Sequence, residues 1–327
     1  MTSETAAAPS EHEQFTTWRD SRSPYYEPKR LGLPVREEII VQVGSGEFAV
    51  DAKMASFEGI GLLSVGVGVE SVGITVLNPD YIAFALPVRW AGEYIVNGEA
   101  ASASDLYMPG DLDSFHLRSK SRVTQGVTIP RQAFIETIAA LRGVGVEDVK
   151  LNDRKLLMRP AAGALLRVRL AAILDGVCRE GRQCTPREVS EEVMGLMVDA
   201  YLSARPELEA QTQRGKRPDR IVRLSEERFM AAAGEPVSLA DLCAAAGVSK
   251  STLYPAFHRV CGESPLAYFH KRRLTQVRSI LISSEPQRGQ VKQAALSVGL
   301  TELGRFAVEY RRLFGESPSA TLNRSMV

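Results

Sequence analysis

The chain has 327 residues, 44% of them hydrophobic and 24% charged, long enough for two domains that each bury a core. This composition is ordinary for a soluble globular protein and argues against a fibrous or disordered one. The near-neutral total of 40 Lys+Arg against 39 Asp+Glu hides an asymmetry. Residues 218–327 carry 15 basic and 10 acidic side chains and the rest 25 and 29, so a basic C-terminal third adjoins an acidic body.

Residues 1–14 are polar and Glu-rich, with no basic residues ahead of an apolar run, so they do not read as a signal peptide. We read residues 1–34 as a loosely ordered arm. Residues 35–130 have the texture of a β domain. Short runs at Ile39–Val43, Phe48–Met54, Ile60–Val69, Val72–Leu77, Tyr94–Val96 and Val123–Ile129 are separated by turn residues such as Asn78-Pro79-Asp80, Asn97-Gly98 and Pro109-Gly110. Many short strands at close spacing predict a sandwich or barrel, which hides their edges. The most apolar window, Gly59–Leu77, is Gly- and Val-rich and contains Glu70, so it reads as core strands and not as a membrane helix.

Residues 131–205 turn helical. Phe134, Ile135, Ile138 and Leu141 share one face, and apolar stripes predict longer helices at Ala161–Cys178 and Pro186–Leu202. These stripes fit either an intra-chain core or a homodimer seam. Residues 206–219 are polar and Pro-punctuated and read as a linker with a basic cluster at Arg214–Pro218. Cys178, Cys184, Cys243 and Cys261 lack zinc-ligand spacing and read as free thiols of a cytoplasmic protein.

Catalytic metal cupins need several histidines with a carboxylate. His116 is the one histidine in the β region (the others are His12, His258 and His270), and Asp111, Asp113 and His116 fall on a segment that reads as a hairpin closure. Gly66-Val67-Gly68 lacks the third glycine and the helix of a dinucleotide fingerprint. We expect neither an enzyme nor a cofactor. An apolar effector cavity with a few polar groups would draw on Tyr81, Phe84, Arg89, Trp90, Tyr94, Tyr107 and His116.

Residues 220–327 repeat one pattern twice. Leu239 and Val291 each open a short Ala-rich helix, followed by the turns Gly247-Val248-Ser249 and Gly299-Leu300-Thr301. An amphipathic helix follows each turn, and Gly-Glu-Ser-Pro closes both copies at Gly262–Pro265 and Gly315–Pro318. Helix, glycine turn and second helix is the arrangement that docks a helix into the DNA major groove. Ser238 with Asp241 makes a capping box, and Ser249 is placed to cap the second helix. Pro255 removes an N–H within that helix and predicts a kink.

Val237–Asn323 strongly resembles the C-terminal domain of AraC/XylS-family bacterial transcription regulators. The resemblance rests on Ser249-x-x-x-Leu253-x-x-x-Phe257, Gly262-x-Ser264-Pro265-x-x-Tyr268, Arg273-Leu274, and the run from Phe306 through Tyr310-Arg311-Arg312 to Phe314-Gly315-x-Ser317-Pro318. It implies an α+β protein. An N-terminal β-sandwich or cupin-like domain with flanking helices would precede a C-terminal all-α domain of two helix-turn-helix units. By the same resemblance, Ser251, Tyr254, Pro255, Leu303, Gly304 and Val308 would face DNA bases. None of these is a forked donor, so DNA shape and phosphates would supply much of the recognition. Lys250, Arg259, Lys271, Arg272, Arg311 and Arg312 are the phosphate candidates. The implied partners are double-stranded DNA, a small-molecule effector, a second copy and, for an activator, RNA polymerase, with no membrane. The alternative is a ligand-independent regulator whose N-terminal domain only dimerises or meets a protein partner.

Overall fold

The computed structural model describes residues 15–23, 33–151, 153–179, 184–206 and 217–324. Its first part is an antiparallel sheet of eleven strands among the described residues. The organising element is the 17-residue strand β9 (Ser114–Pro130). Along one edge it pairs for most of its length with β6 (Tyr81–Val96), from Tyr81 opposite Pro130 to Val96 opposite Leu117. The other edge is shared: Ser114–Ser119 pair with β5 (Ser71–Leu77), and Arg122–Thr128 pair with β4 (Ile60–Val67). The sheet therefore forks. One branch continues from β5 to β2 (Val35–Gln42), the other from β4 to β3 (Val50–Phe57) and β1 (Thr16–Ser23).

The fork gives the two branches facing inner surfaces, and small residues such as Gly73, Ala83, Ala85 and Gly126 leave space between them. A hollow of about 80 Å³ lies between β2, β4, β5, β6 and β9. Gly73 borders it, and a Cβ there would sit 2.6 Å from an Arg122 nitrogen, so a larger residue does not fit at this point of the wall. Residues 16–23, read from sequence as part of a loose arm, are instead strand β1 against β3, so the sheet begins earlier than the composition indicated. The rest of that arm, apart from Phe15 and residues 33–34, lies outside the described residues.

Asn97-Gly98 makes the expected turn, here a hairpin from β6 into β7 (Glu99–Ala100), with both residues at positive φ. The short strands β8 (Leu106–Tyr107), β10 (Lys155–Leu157) and β11 (Arg205–Pro206) complete the sheet beyond β6. Pro87 sits inside β6 beside a register shift, where a missing donor is tolerated.

Helices α1 (Arg131–Arg142), α2 (Pro160–Val177) and α3 (Pro186–Ser203) cover the outer face of the β4–β9–β6 region. Phe84, Leu86 and Val127 of the strands join Phe134, Leu170 and Met197 of the helices in one apolar core. Two polar groups pin α2 to the sheet: Arg167 Nε donates to the Pro87 carbonyl at 2.7 Å, and Gln125 Nε2 donates to the Arg167 carbonyl at 3.0 Å. Thr185 and Glu188 form a capping box at the start of α3.

The second part is helical: α4 (Pro218–Ala231), α5 (Leu239–Ala246), α6 (Lys250–Cys261), α7 (Pro265–Ile282), α8 (Gln290–Ser297), α9 (Leu303–Phe314) and α10 (Pro318–Arg324). Of the basic cluster read as linker, Arg214–Lys216 lie outside the described residues. Arg217 is buried and ion-pairs with Asp111 at 2.5 Å, and α4 starts at the next residue.

Candidate nucleic-acid interface

Each repeat folds as the pattern requires. In the first, Ser238 caps α5 through the predicted box with Asp241, and Gly247, at φ 64°, makes the turn into α6. Ser249 stands at the N-cap of α6 but makes no capping bond; its hydroxyl lies 2.8 Å from that of Ser251 and 3.2 Å from that of Thr252. The α6 helix runs through Pro255 to Cys261. Leu253, Phe257 and Val260 are fully buried, and the Phe257 ring meets Tyr268 and Phe269 edge-on.

In the second repeat the turn is made by Gly299, at φ 80°. A Cβ there would stand 2.1 Å from the Gly234 carbonyl, so glycine is required both by conformation and by this close approach. Phe306, Tyr310 and Phe314 of α9 form an aromatic row in a core closed by Leu300 and Leu322. Leu300, the residue after the turn glycine, is buried. The rigid α7 joins the two units.

The outward starts of α6 and α9 present the residues expected to face bases. Ser251, Pro255 and Gly304 are exposed, Tyr254 and Leu303 half-buried, and Val308 is 69% exposed, an unusual position for a large apolar side chain. Lys250, Arg311 and Arg312 are also exposed.

The other three phosphate candidates are placed differently. Arg272 has 0% exposure and ion-pairs with Glu37 of β2, so it does not belong on the DNA-facing surface. Lys271 Nζ donates to the Val43 carbonyl and to Glu263, both at 2.5 Å. Arg259 Nε donates to the Gly98 carbonyl at 2.5 Å. Lys271 and Arg272 are committed to the contact between the β domain and the helices, whereas Arg259 reaches that contact but stays exposed.

That contact is itself a core. Val41, Val72, Ile74 and Val76 of β2 and β5 share one apolar cluster with Val222, Phe257, Val260 and Tyr268 of the helices. Buried inside it is Glu226 of α4. Its Oε2 lies 2.8 Å from His116 Nε2, each side chain 1% exposed, and the Tyr268 hydroxyl donates to Oε1 at 2.5 Å. Arg272 approaches the same carboxylate at 3.2 Å. A carboxylate only accepts, so Nε2 is the protonated nitrogen of His116. Burial alone would raise the Glu226 pKa. The His116 ring, the Arg272 guanidinium and the Tyr268 hydroxyl outweigh it and hold the carboxyl at about 2. Burial, reinforced by Glu226, pushes the Cys261 thiol up, which leaves it an inert core residue.

A second ionic group joins Arg154 to Asp219 of α4 at 2.8 Å. The second unit is reached through its last α9 carbonyls: Gln42 Nε2 and Gly46 N both donate to Leu313 O, at 2.8 and 3.2 Å.

The residues read as a ligand set do not converge on one cavity, although Trp90, Tyr94 and Tyr107 share a cluster. Of the seven, Phe84 alone borders the hollow, and its ring packs with α1 against Phe134 at 5.3 Å between centroids. His116 points to the helices, Arg89 is exposed, and Tyr94 bonds Thr124 at 2.7 Å within a cluster that also holds Trp90 and Tyr107. Tyr81 is half-buried at the start of β6. Strand pleating sends neighbours to opposite faces, and aromatic content carries no information about face. The hollow is lined instead by Leu63, Thr75, Ala83, Ala85, Leu117 and Thr128, among others. Thr128 Oγ1 is buried there without a hydrogen-bond partner.

Residues 242–324 match the family model described as a helix-turn-helix domain. Over 105 residues the chain is 35% identical to XylDLEGF operon transcriptional activator 2 of Pseudomonas putida, covering 32% of this chain and 64% of that protein. Over 102 residues it is 33% identical to a probable thc operon regulatory protein of Rhodococcus erythropolis, covering 31% of each. The chain thus spans less than two thirds of the length of these relatives. Among solved structures, a probable AraC family transcriptional regulator from Rhodopseudomonas palustris CGA009 is 37% identical, over 32% of this chain and 96% of that one, with a TM-score of 0.29.

Proposed function

We propose that the chain is a transcription regulator of the AraC/XylS type, which binds operator DNA through α6 and α9 and regulates transcription in the cytoplasm, without enzymatic activity; the helix-turn-helix match over residues 242–324 and the 35% identity to a transcriptional activator support this reading. The observation that carries this reading is the pair of glycine-turned units, joined by α7, with the starts of both second helices open to solvent. Two helices so joined enter successive major-groove segments on one face of the duplex, about 34 Å apart. Lys250, Arg311 and Arg312 hold phosphates, while Ser251, Tyr254 and Val308 touch base edges and thymine methyls.

The β domain senses a small-molecule effector in the hollow between its branches; the buried, unpartnered Thr128 hydroxyl supports an occupant with a polar group. The working form is a homodimer, and as an activator it also contacts RNA polymerase. Support for the dimer comes from α2, where Ala161, Leu165, Val168 and Ala172 form an exposed apolar stripe, with Leu165 61% and Val168 66% exposed. Among the described residues no helix is long and apolar enough to cross a membrane.

Sequencing of genomic fragments retained by the purified full chain tests the reading. It expects an enriched motif spanning two adjacent major-groove segments. Retention of no fragment at any salt concentration, with and without cell metabolite extract, overturns it.

A further inference from the structure

Three strands separate the hollow from the first helix-turn-helix unit, and the pleat gives each of them two audiences. On β9, Phe115 and Leu117 border the hollow, while His116 between them reaches Glu226 of α4. On β2, Glu38 and Ile40 border it, while Glu37 pairs with Arg272 of α7 and Val41 joins the apolar contact. On β5, Gly73 and Thr75 border it, while Val72 and Ile74 join the same contact. The wall is one strand thick, packed on both sides, and its polar attachments sit where water does not reach.

We propose that this β2–β5–β9 wall is the element that transmits occupancy of the hollow to the first helix-turn-helix unit, with His116 and Glu37 as the positioning residues. The inference rests on the DNA-binding and effector readings above. A close-packed wall has no slack, so an occupant that displaces Phe115 or Leu117 outward carries the backbone of His116 with it. The 2.8 Å bond to Glu226 tolerates little displacement, and at 1% exposure no solvent replaces it. Glu226 and Arg272 lie on the two helices that frame α6, so the displacement changes the pose of the recognition helix. Coupling of this kind is reciprocal: DNA that favours one pose changes affinity for the occupant by the same factor.

The test places a permanent occupant in the hollow. Ala85→Val adds two methyl groups from β6, and the full chain is compared with Ala85→Val, His116→Gln and the double variant for binding to the enriched operator, or to random-sequence duplex at low salt. Coupling through the wall predicts a change of about fivefold or more in Kd from Ala85→Val when His116 is present. It predicts less than twofold in the His116→Gln background, a non-additive cycle that a merely structural His116 would not produce. Equal effects in both backgrounds, or none in either, overturn the proposal. Should Ala85→Val fail to give a cooperative melt, Ala83→Val on the same strand supplies the occupant and is judged by the same comparison. Failure of the unaltered chain to bind duplex at any salt sinks the DNA-binding reading itself, whereas binding with an additive cycle sinks the wall alone.

Discussion

Glu226→Gln removes one charge from the centre of the molecule and changes almost nothing in shape. The folded carboxyl sits at about 2 against an ordinary value of 4.5, a difference of roughly 2.5 pH units. At about 1.4 kcal/mol per unit, ionised Glu226 contributes on the order of 3 kcal/mol. The independent expectation for breaking a buried pair, about 3–5 kcal/mol, agrees. The folded value is depressed, so this stability is fully present above pH 4.5 and is lost as pH falls from 4.5 towards 2. Urea unfolding at pH 7 should therefore show the variant less stable by about 3 kcal/mol, with the m-value unchanged. Repeating the titration at pH 5, 4 and 3 should bring the two proteins together as the unaltered chain loses its advantage. A gap that stays constant across this range refutes the reasoning, because the loss would then come from packing and not from charge.

Gly299→Ala should cost about 2–4 kcal/mol in thermal or chemical melts, since a Cβ at 2.1 Å from the Gly234 carbonyl forces the turn open. A loss below about 0.5 kcal/mol would mean that the turn yields freely. Arg311→Ala should weaken binding to all duplexes alike and reduce the slope of log K against log salt by about 0.9; altered sequence preference at constant slope would place Arg311 on bases. Val168→Asp should shift the sedimentation of the full chain from dimer to monomer while leaving its melt within about 0.5 kcal/mol, because the side chain is 66% exposed. An unchanged dimer would move the seam away from α2.

Local signals made the helical third legible. The glycine turns, the Ser238–Asp241 box and the buried spacing of Leu253, Phe257 and Val260 are all decided within a few residues of chain, and all stand in the structure. The Asn97-Gly98 turn was readable for the same reason. What the sequence hid is decided by partners far away. Arg272 lies in a Lys-Arg-Arg run that looks like a solvated basic face, yet its partner Glu37 is 235 residues distant. Glu226 is one acid among several on an amphipathic helix, and only the fold sets His116 beside it. The hollow carries no mark in the sequence, because its space comes from small residues such as Gly73, Ala83 and Ala85 among ordinary aliphatic ones, and none of these signals a ligand site as an aromatic does. Phosphate candidates chosen by charge divided in the same way, with Lys250, Arg311 and Arg312 left on the surface and Arg259, Lys271 and Arg272 drawn towards the β domain.

The apolar cluster shared by β2, β5, α4, α6 and α7 has a consequence for how the chain comes apart. Residues 217–324 read as a self-contained unit, yet part of their interior is upholstered by strands made some 150 residues earlier. A fragment cut just before α4 would carry Val222, Val260 and Cys261 with their covering stripped away, together with an Arg272 deprived of Glu37. The N-terminal piece would bare Val41, Val72 and Ile74 in turn. The halves are thus obligate companions, and protease cleavage in the segment between them should yield two pieces that elute together.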